Sequence, residues 1–275
     1  MSPSTWLDAA RFENLRAEAG AAWGRPLRVL DRVESTNDLA LAEVSGDART
    51  GIVWVAGQQT RGRGRRGTSW VARPGEALLM STLLRWPAPV HTATGLGLAV
   101  GLAITQACQK RVAAQRLCVK WPNDVVCQGA KLAGILIESR SDGRGGVGIV
   151  LGIGINVGAL DFEQAAGRAT SLALLGAQPE GLELERLLVD VLIALEGLVP
   201  RVLSGKLAPI MDELRAVDAL LGRRVQVTDA SGGELSGAPT GTVTGIARGL
   251  SDRGELEIET PAGVQRVMTG HVLAL

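Results

Sequence analysis

The residues best able to do chemistry fall in four short blocks. The most unusual runs from Gln59 through Arg61, Gly62, Arg63, Gly64, Arg65, Arg66 and Gly67 to Trp70, where four arginines alternate with three glycines. Glycines let backbone N–H groups approach a ligand, while guanidinium groups offer forked donors to a carboxylate or phosphate. A solvated basic turn or an RGG-like nucleic-acid segment has the same composition. Its place between apolar runs favours a ligand site inside a folded domain. No Gly-Lys-Ser/Thr follows, so this is not a Walker loop.

The other blocks are less specific. Ser35, Thr36 and Asn37 cluster short donors and acceptors at a helix start, suited to a neutral polar head such as a urea ring. Read alone, Ser35 with Asp38 is a variant of the capping box. Lys120-Trp121-Pro122-Asn123-Asp124 is a turn signal flanked by charge, and Lys131 opens the next strand beside Ala133 and Gly134. A lysine there can place its ammonium where backbone approaches closely, neutralising a phosphate or charge that develops in group transfer. Gly152, Gly154 and Asn156 mark a glycine-relieved strand ending in an amide, which a bulged core strand explains equally well. His91 and His271 are isolated and read as surface or packing residues, and no Ser–His or Cys–His nucleophile pattern is present.

Positioning these blocks requires a particular run of elements. An amphipathic helix is expected over 5–20, with Trp6, Leu7, Ala10 and Leu15 on one face. Strands are expected at 27–33, 52–56, 78–84, 117–120, 135–138 and 147–155, and helices from Ser35 and over 94–110, 182–203 and 209–220. Strands that cluster in pairs with short turns imply an α+β fold with a mostly antiparallel sheet. After Gly222 come four short strands (223–228, 241–247, 255–259, 264–268) separated by Gly, Ser, Asp and Pro, as in a small barrel. The expected division is a helical extension over 1–24, a catalytic domain over 25–221 and a terminal domain over 222–275.

Bulk properties narrow the classes. The chain has 275 residues, 46% of them hydrophobic, and a formal charge of +1. That length buries a sizeable core with a small second domain. Near-neutrality disfavours a general nucleic-acid or membrane field. Three cysteines without a CxxC pair fit a reducing compartment and argue against disulfides or zinc. No signal peptide or membrane-spanning run is visible, so a cytoplasmic protein is expected.

In order and spacing the blocks resemble biotin protein ligases, over about residues 27–275. The likeness rests on STN at 35–37, Gln59 three residues before GRGRRG with Trp70 soon after, KWPND at 120–124, KLAGIL at 131–136, and the G-x-G-x-N strand at 152–156. The resemblance implies a mixed sheet with helices related to class II aminoacyl-tRNA synthetases, plus a C-terminal SH3-like β-barrel. It implies an ATP-dependent ligase that joins biotin to a lysine of a biotin carboxyl carrier protein domain through biotinyl-5'-AMP. Ser35, Thr36, Asn37, Gln59, Arg63, Gly64, Arg65, Trp70 and Lys131 would bind biotin. Gly62, Arg63, Arg65, Arg66, Asn123 and Asn156 would serve ATP and the adenylate, with 169–172 also on the nucleotide side. Lys131, Arg65 and Asp124 would be catalytic, Asp124 meeting the carrier lysine. Mg²⁺ would assist the phosphates, its ligands not being identified.

Some members carry an N-terminal winged helix of roughly 60 residues, within the lower range of domain sizes; only 34 residues precede Ser35. A monofunctional ligase without sequence-specific DNA binding is therefore expected. Residues 1–24 would pack on the core or form a homodimer contact. Arg61 departs from the family, which has a small residue there. A lipoate or octanoate ligase on the related fold and a nucleic-acid-binding protein are the competing readings.

Overall fold

The computed structural model describes residues 6–67, 69–86, 95–158, 169–203, 207–231 and 241–275, with backbone alone for Arg66 and 229–231. The larger sheet is built from β1 (Leu27–Val33), β2 (Val53–Gln59), β3 (Ala77–Trp86), β4 (Leu117–Lys120), β5 (Asp124–Cys127), β6 (Ala130–Ser141) and β7 (Val147–Asn156). Their order is β1-β2-β3-β7-β6-β5-β4. Only β1 and β2 are parallel. A parallel neighbour needs a crossover, here supplied by α2 (Thr36–Ala42). The other pairs are antiparallel, as the strand clustering predicts.

Strand side chains alternate between faces, and β7 shows what each face is for. Ile149, Leu151, Ile153 and Ile155 join the main core, which is covered by α3 (Leu96–Gln109) and α4 (Leu184–Val202). Val150, on the other face, packs with Ala40 and Leu41 of α2. The glycines of β7 share that second face, and the space they leave becomes the site.

Sequence periodicity misplaces two helices. α1 (Ala9–Glu18) begins only after Asp8, whose carboxylate accepts from the N–H groups of Ala10 and Arg11. Trp6 and Leu7 therefore precede the helix, Ala10 is exposed, and the buried face is set by Phe12 and Arg16. α5 stops at Ala216 (Met211–Ala216) rather than near 220. The chain is drawn out of helix because Val119 donates to the Val217 carbonyl (2.7 Å) and Ala219 to the Val119 carbonyl (3.0 Å). That contact covers β4, an edge that would otherwise be open.

The second sheet contains β8 (Arg224–Ser231), β9 (Gly241–Leu250), β10 (Leu256–Thr260), β11 (Gly263–Val267) and β12 (Thr269–Ala274). Its order is β11-β10-β9-β8-β12, antiparallel throughout. The hydrogen-bonded ladder is open between β11 and β12, so the small β-domain is a sheet without full closure. β12 was not among the four expected strands. Among the described residues no helix is long and apolar enough to cross a membrane.

Candidate active site

Register across the larger sheet lays out the site in two transverse rows. One row runs Lys120, Asp124, Gly134, Gly154, Leu79 through β4, β5, β6, β7 and β3. The other, two residues along, runs Leu136, Gly152, Ser81 through β6, β7 and β3. Directly opposed residues share a face, and two residues of strand separate the rows by roughly 7 Å. Both lie under a cavity of about 720 Å³, within the ordinary size of small-molecule sites.

The glycines explain the G-x-G-x-N spacing. A Cβ at Gly152 would collide with the Asn37 amide, and one at Gly154 would stand 2.7 Å from Trp70 Cε2. Gly134, opposite Gly154, would bring a Cβ to 3.0 Å from Trp70 Cζ3. The indole thus rests on paired glycines and walls the cavity. Its N–H is buried without a hydrogen-bond partner. Asn156 closes the strand by donating to the Thr170 carbonyl at 2.9 Å, while Thr170 N–H donates to the Lys131 carbonyl at 2.8 Å. Its amide therefore pins residues 169–172 against β6.

Over the Gly152 row sits the neutral polar cluster. Ser35 occupies the N-cap position of α2 but makes no capping bond, so the capping-box reading fails. Gln59 caps instead: its Oε1 accepts from Thr36 N–H at 2.7 Å. Asp38, the expected capping carboxylate, pairs with Arg63 at 2.7 Å. Ser81 Oγ lies 2.7 Å from Thr36 Oγ1 and 2.6 Å from Asn37 Oδ1. Its single proton serves one of them at a time. Ser35, Thr36 and Asn37 are all buried.

Over the other row lies the charged end. Lys131 Nζ is 2.7 Å from Asp124 Oδ1, an ion pair without an aligned hydrogen bond, and 5.7 Å from the Trp70 ring centroid. Simple alternation would put Lys131 on the opposite face, with Ala133. However, Val125 pairs with Ala133 and Val126 with Lys131. Leu132 is thus the extra residue of a β-bulge, which turns Lys131 onto the face of Gly134. Lys120 shares this face, and burial pushes its ammonium below the usual lysine range.

The arginine loop spans both ends. Arg63 Nη2 is held by Asp38 at 2.7 Å and by Glu138 at 2.9 Å. Arg65 instead donates to Asn123 Oδ1 at 3.2 Å and to Thr269 Oγ1 of β12 at 2.8 Å. Gly64 lines the cavity, whereas Gly62 closes the loop by accepting Trp70 N–H at 2.9 Å. Arg61 points to Glu34, pairing with its carboxylate at 3.2 Å on the exposed surface and donating its backbone N–H to the Glu34 carbonyl at 2.9 Å. The Arg66 side chain and His91 lie outside the described residues. Asn123 is a staple as well as a lining residue, its Nδ2 donating to the Ile135 carbonyl at 2.9 Å.

Four groups escaped sequence reasoning: Ser81, Glu138, Lys120 and the β12 edge. Gly270, His271 and Val272 line the cavity, so exposed His271 borders the site rather than distant surface. Glu138 and Lys120 close and open quoted motifs, and motif position was their available signal. Ser81 had none, because only strand register puts it opposite Gly152.

The chain is similar to known proteins over most of its length. Residues 29–156 match the Biotin/lipoate A/B protein ligase family and residues 220–273 the Biotin protein ligase C terminal domain. The chain is 34% identical to the biotin–[acetyl-CoA-carboxylase] ligase of Mycobacterium tuberculosis, over 98% of this chain and 96% of that one. It is 33% identical to the enzyme of that name from Paracoccus denitrificans, over 89% and 98%. Among solved structures it is similar to the biotin protein ligase of Aquifex aeolicus in complex with biotin and ATP. That likeness has a TM-score of 0.73 at 26% identity and covers 90% of this chain and 99% of that one.

Proposed function

The chain belongs to the biotin protein ligase family, and from that premise we propose how its residues divide the work. It is an ATP-dependent ligase that forms biotinyl-5'-AMP and transfers biotin to a lysine of a carrier domain of the acetyl-CoA carboxylase type. The observation that carries the assignment of roles is the two-row layout: a neutral donor–acceptor set at one end of one cavity, an ion-paired lysine at the other. Ser35, Thr36, Asn37 and Gln59 read the ureido ring, and Trp70 walls the pocket. Arg65, Lys131 and Asn123 face the adenylate. Arg63, already on two carboxylates, serves the biotin end.

In the first step a biotin carboxylate oxygen attacks the α-phosphorus, the bond to the β-phosphate bridge breaks, and pyrophosphate leaves. Lys131 stabilises the charge that develops there, provided its ammonium leaves Asp124. In the second step the carrier lysine amine attacks the acyl carbon and AMP departs. Asp124, released from Lys131, receives the incoming ammonium and its proton. No enzyme nucleophile is required; positioning and charge do the work. Mg²⁺ would be carried on the nucleotide phosphates, since the described residues present no cluster of three His, Cys, Asp or Glu and this ion needs few protein ligands beside phosphate. The three free cysteines suit a reducing, cytoplasmic setting.

The test is incubation with ATP, labelled biotin and an apo carrier domain. Wild-type protein should label the carrier, and Lys131→Ala should slow adenylate formation by roughly 10²–10³-fold, as loss of a preorganised charge does, with its melting transition intact. An unlabelled carrier, or labelling with lipoate in preference to biotin, overturns the reading.

A further inference from the structure

Glu138 lies on β6 two residues beyond KLAGIL and has no part in the chemistry above, yet it joins the biotin end to the arginine loop. Its Oε2 accepts from Asn37 Nδ2 at 2.7 Å and from Arg63 Nη2 at 2.9 Å. The second N–H of Asn37 goes to the Leu136 carbonyl at 3.3 Å, and Ser81 Oγ lies 2.6 Å from Asn37 Oδ1. Both amide protons are therefore spent within the protein. What Asn37 has left for a ligand is a lone pair on Oδ1, so it can accept a hydrogen bond but not donate one. The Glu138 carboxylate enforces that choice, because an ionised carboxylate only accepts and would repel Oδ1 if the amide turned over.

The same oxygen tethers the loop. Arg63 Nη2 donates to Glu138 at 2.9 Å and forms an ion pair with Asp38 of α2 at 2.7 Å. Glu138 thus touches both Asn37, a group placed to read the ligand head, and Arg63 of the loop.

We infer that Glu138 is a specificity-determining positioning residue: it fixes Asn37 as an acceptor for a ring N–H and binds Arg63 so that the loop closes over the same end. The inference rests on the ligase reading and names the group that makes the site select a cyclic urea. Glu138→Gln is the direct probe, because a glutamine amide can donate to Asn37 and so permits the reversed orientation. Losing a charged hydrogen bond at both contacts should weaken biotin binding, followed by calorimetry, by about tenfold or more. Release of preformed biotinyl-AMP should accelerate by a similar factor. Arg63→Ala should accelerate release as well, and combining it with Glu138→Gln should give less than the product of the two single effects, since the two share one of the tethers of Arg63. A merely structural glutamate would give additive effects. Glu138→Asp, which keeps the charge but shortens its reach, is measured beside it so that the outcome does not hang on one variant folding. Wild-type protein that fails to bind biotin sinks both readings. Wild-type binding with Glu138 variants equal to it, or additive release rates, sinks this one alone.

Discussion

Lys120 shows how one residue can be costly to the fold and useful to the site. It stands opposite Asp124 in the β4–β5 ladder. Burial lowers its ammonium pKa first, Lys131 and Arg223 lower it further, and Asp124 alone pulls it back. A lysine whose folded pKa is depressed is a stability penalty that is full below the folded value. The penalty fades as pH rises toward the unfolded value, because the unfolded chain then binds more protons. Lys120→Met should therefore raise the melting temperature at neutral pH by about 2–4 °C, and the gain should shrink as pH approaches 10. A gain that is constant with pH would show that charge is not the cause. At this scale residue identity was largely legible. Lysines and arginines next to glycines mark candidates for anion chemistry, although a solvated basic turn has the same composition. Which arginine meets which partner was not legible, because Arg63 and Arg65 differ only in their surroundings.

Among the elements, β7 carries the clearest message. Its glycines are one face of a strand and make room for Asn37 and Trp70. Gly154→Ala should press a methyl group into the Trp70 ring, and such overpacking costs about 1–3 kcal/mol. Calorimetry should show weakened biotin binding, and tryptophan fluorescence should report a displaced indole; unchanged spectra and affinity would mean the ring does not rest there. Most strands were readable because short apolar runs are local, but β5 and β12 were not among those expected. The bulge at Leu132 was not readable. It depends on how β5 and β6 pair, and without it Lys131 would face the core. Helix ends failed for a related reason: Asp8 and the Val119 contact, not periodicity, decide where α1 begins and α5 stops.

At the scale of the molecule the two sheets share the site. Trp121, fully buried in the KWPND turn, donates from its indole nitrogen to the Gly254 carbonyl between β9 and β10 at 3.0 Å. Arg65 reaches Thr269 of β12. The terminal sheet therefore braces the turn that holds Asn123 and Asp124. Trp121→Phe removes that donor and leaves a buried carbonyl unpaired, which should cost about 1–3 kcal/mol. Carrier labelling should fall more than adenylate formation does, if Asp124 serves the transfer step as proposed. Equal losses in both steps would argue that the brace acts on the whole site.

The residues and their order in the chain were enough to show an α+β pattern and a resemblance to biotin protein ligases, and to mark the Ser35–Asn37 cluster, the arginine–glycine loop and Lys131 as candidates, because chemistry-bearing side chains at fixed spacing are properties of the chain itself. Register decided the rest. Ser81 enters the site because β3 pairs with β7, Lys131 because one extra residue reverses its face, and β12 because a second sheet packs beside the turn. Arg63 and Arg65 separate because Asp38 and Glu138 stand at one end of the cavity and Asn123 with Thr269 at the other. Hydrogen bonding between strands far apart in sequence creates those neighbours, and no local pattern encodes them.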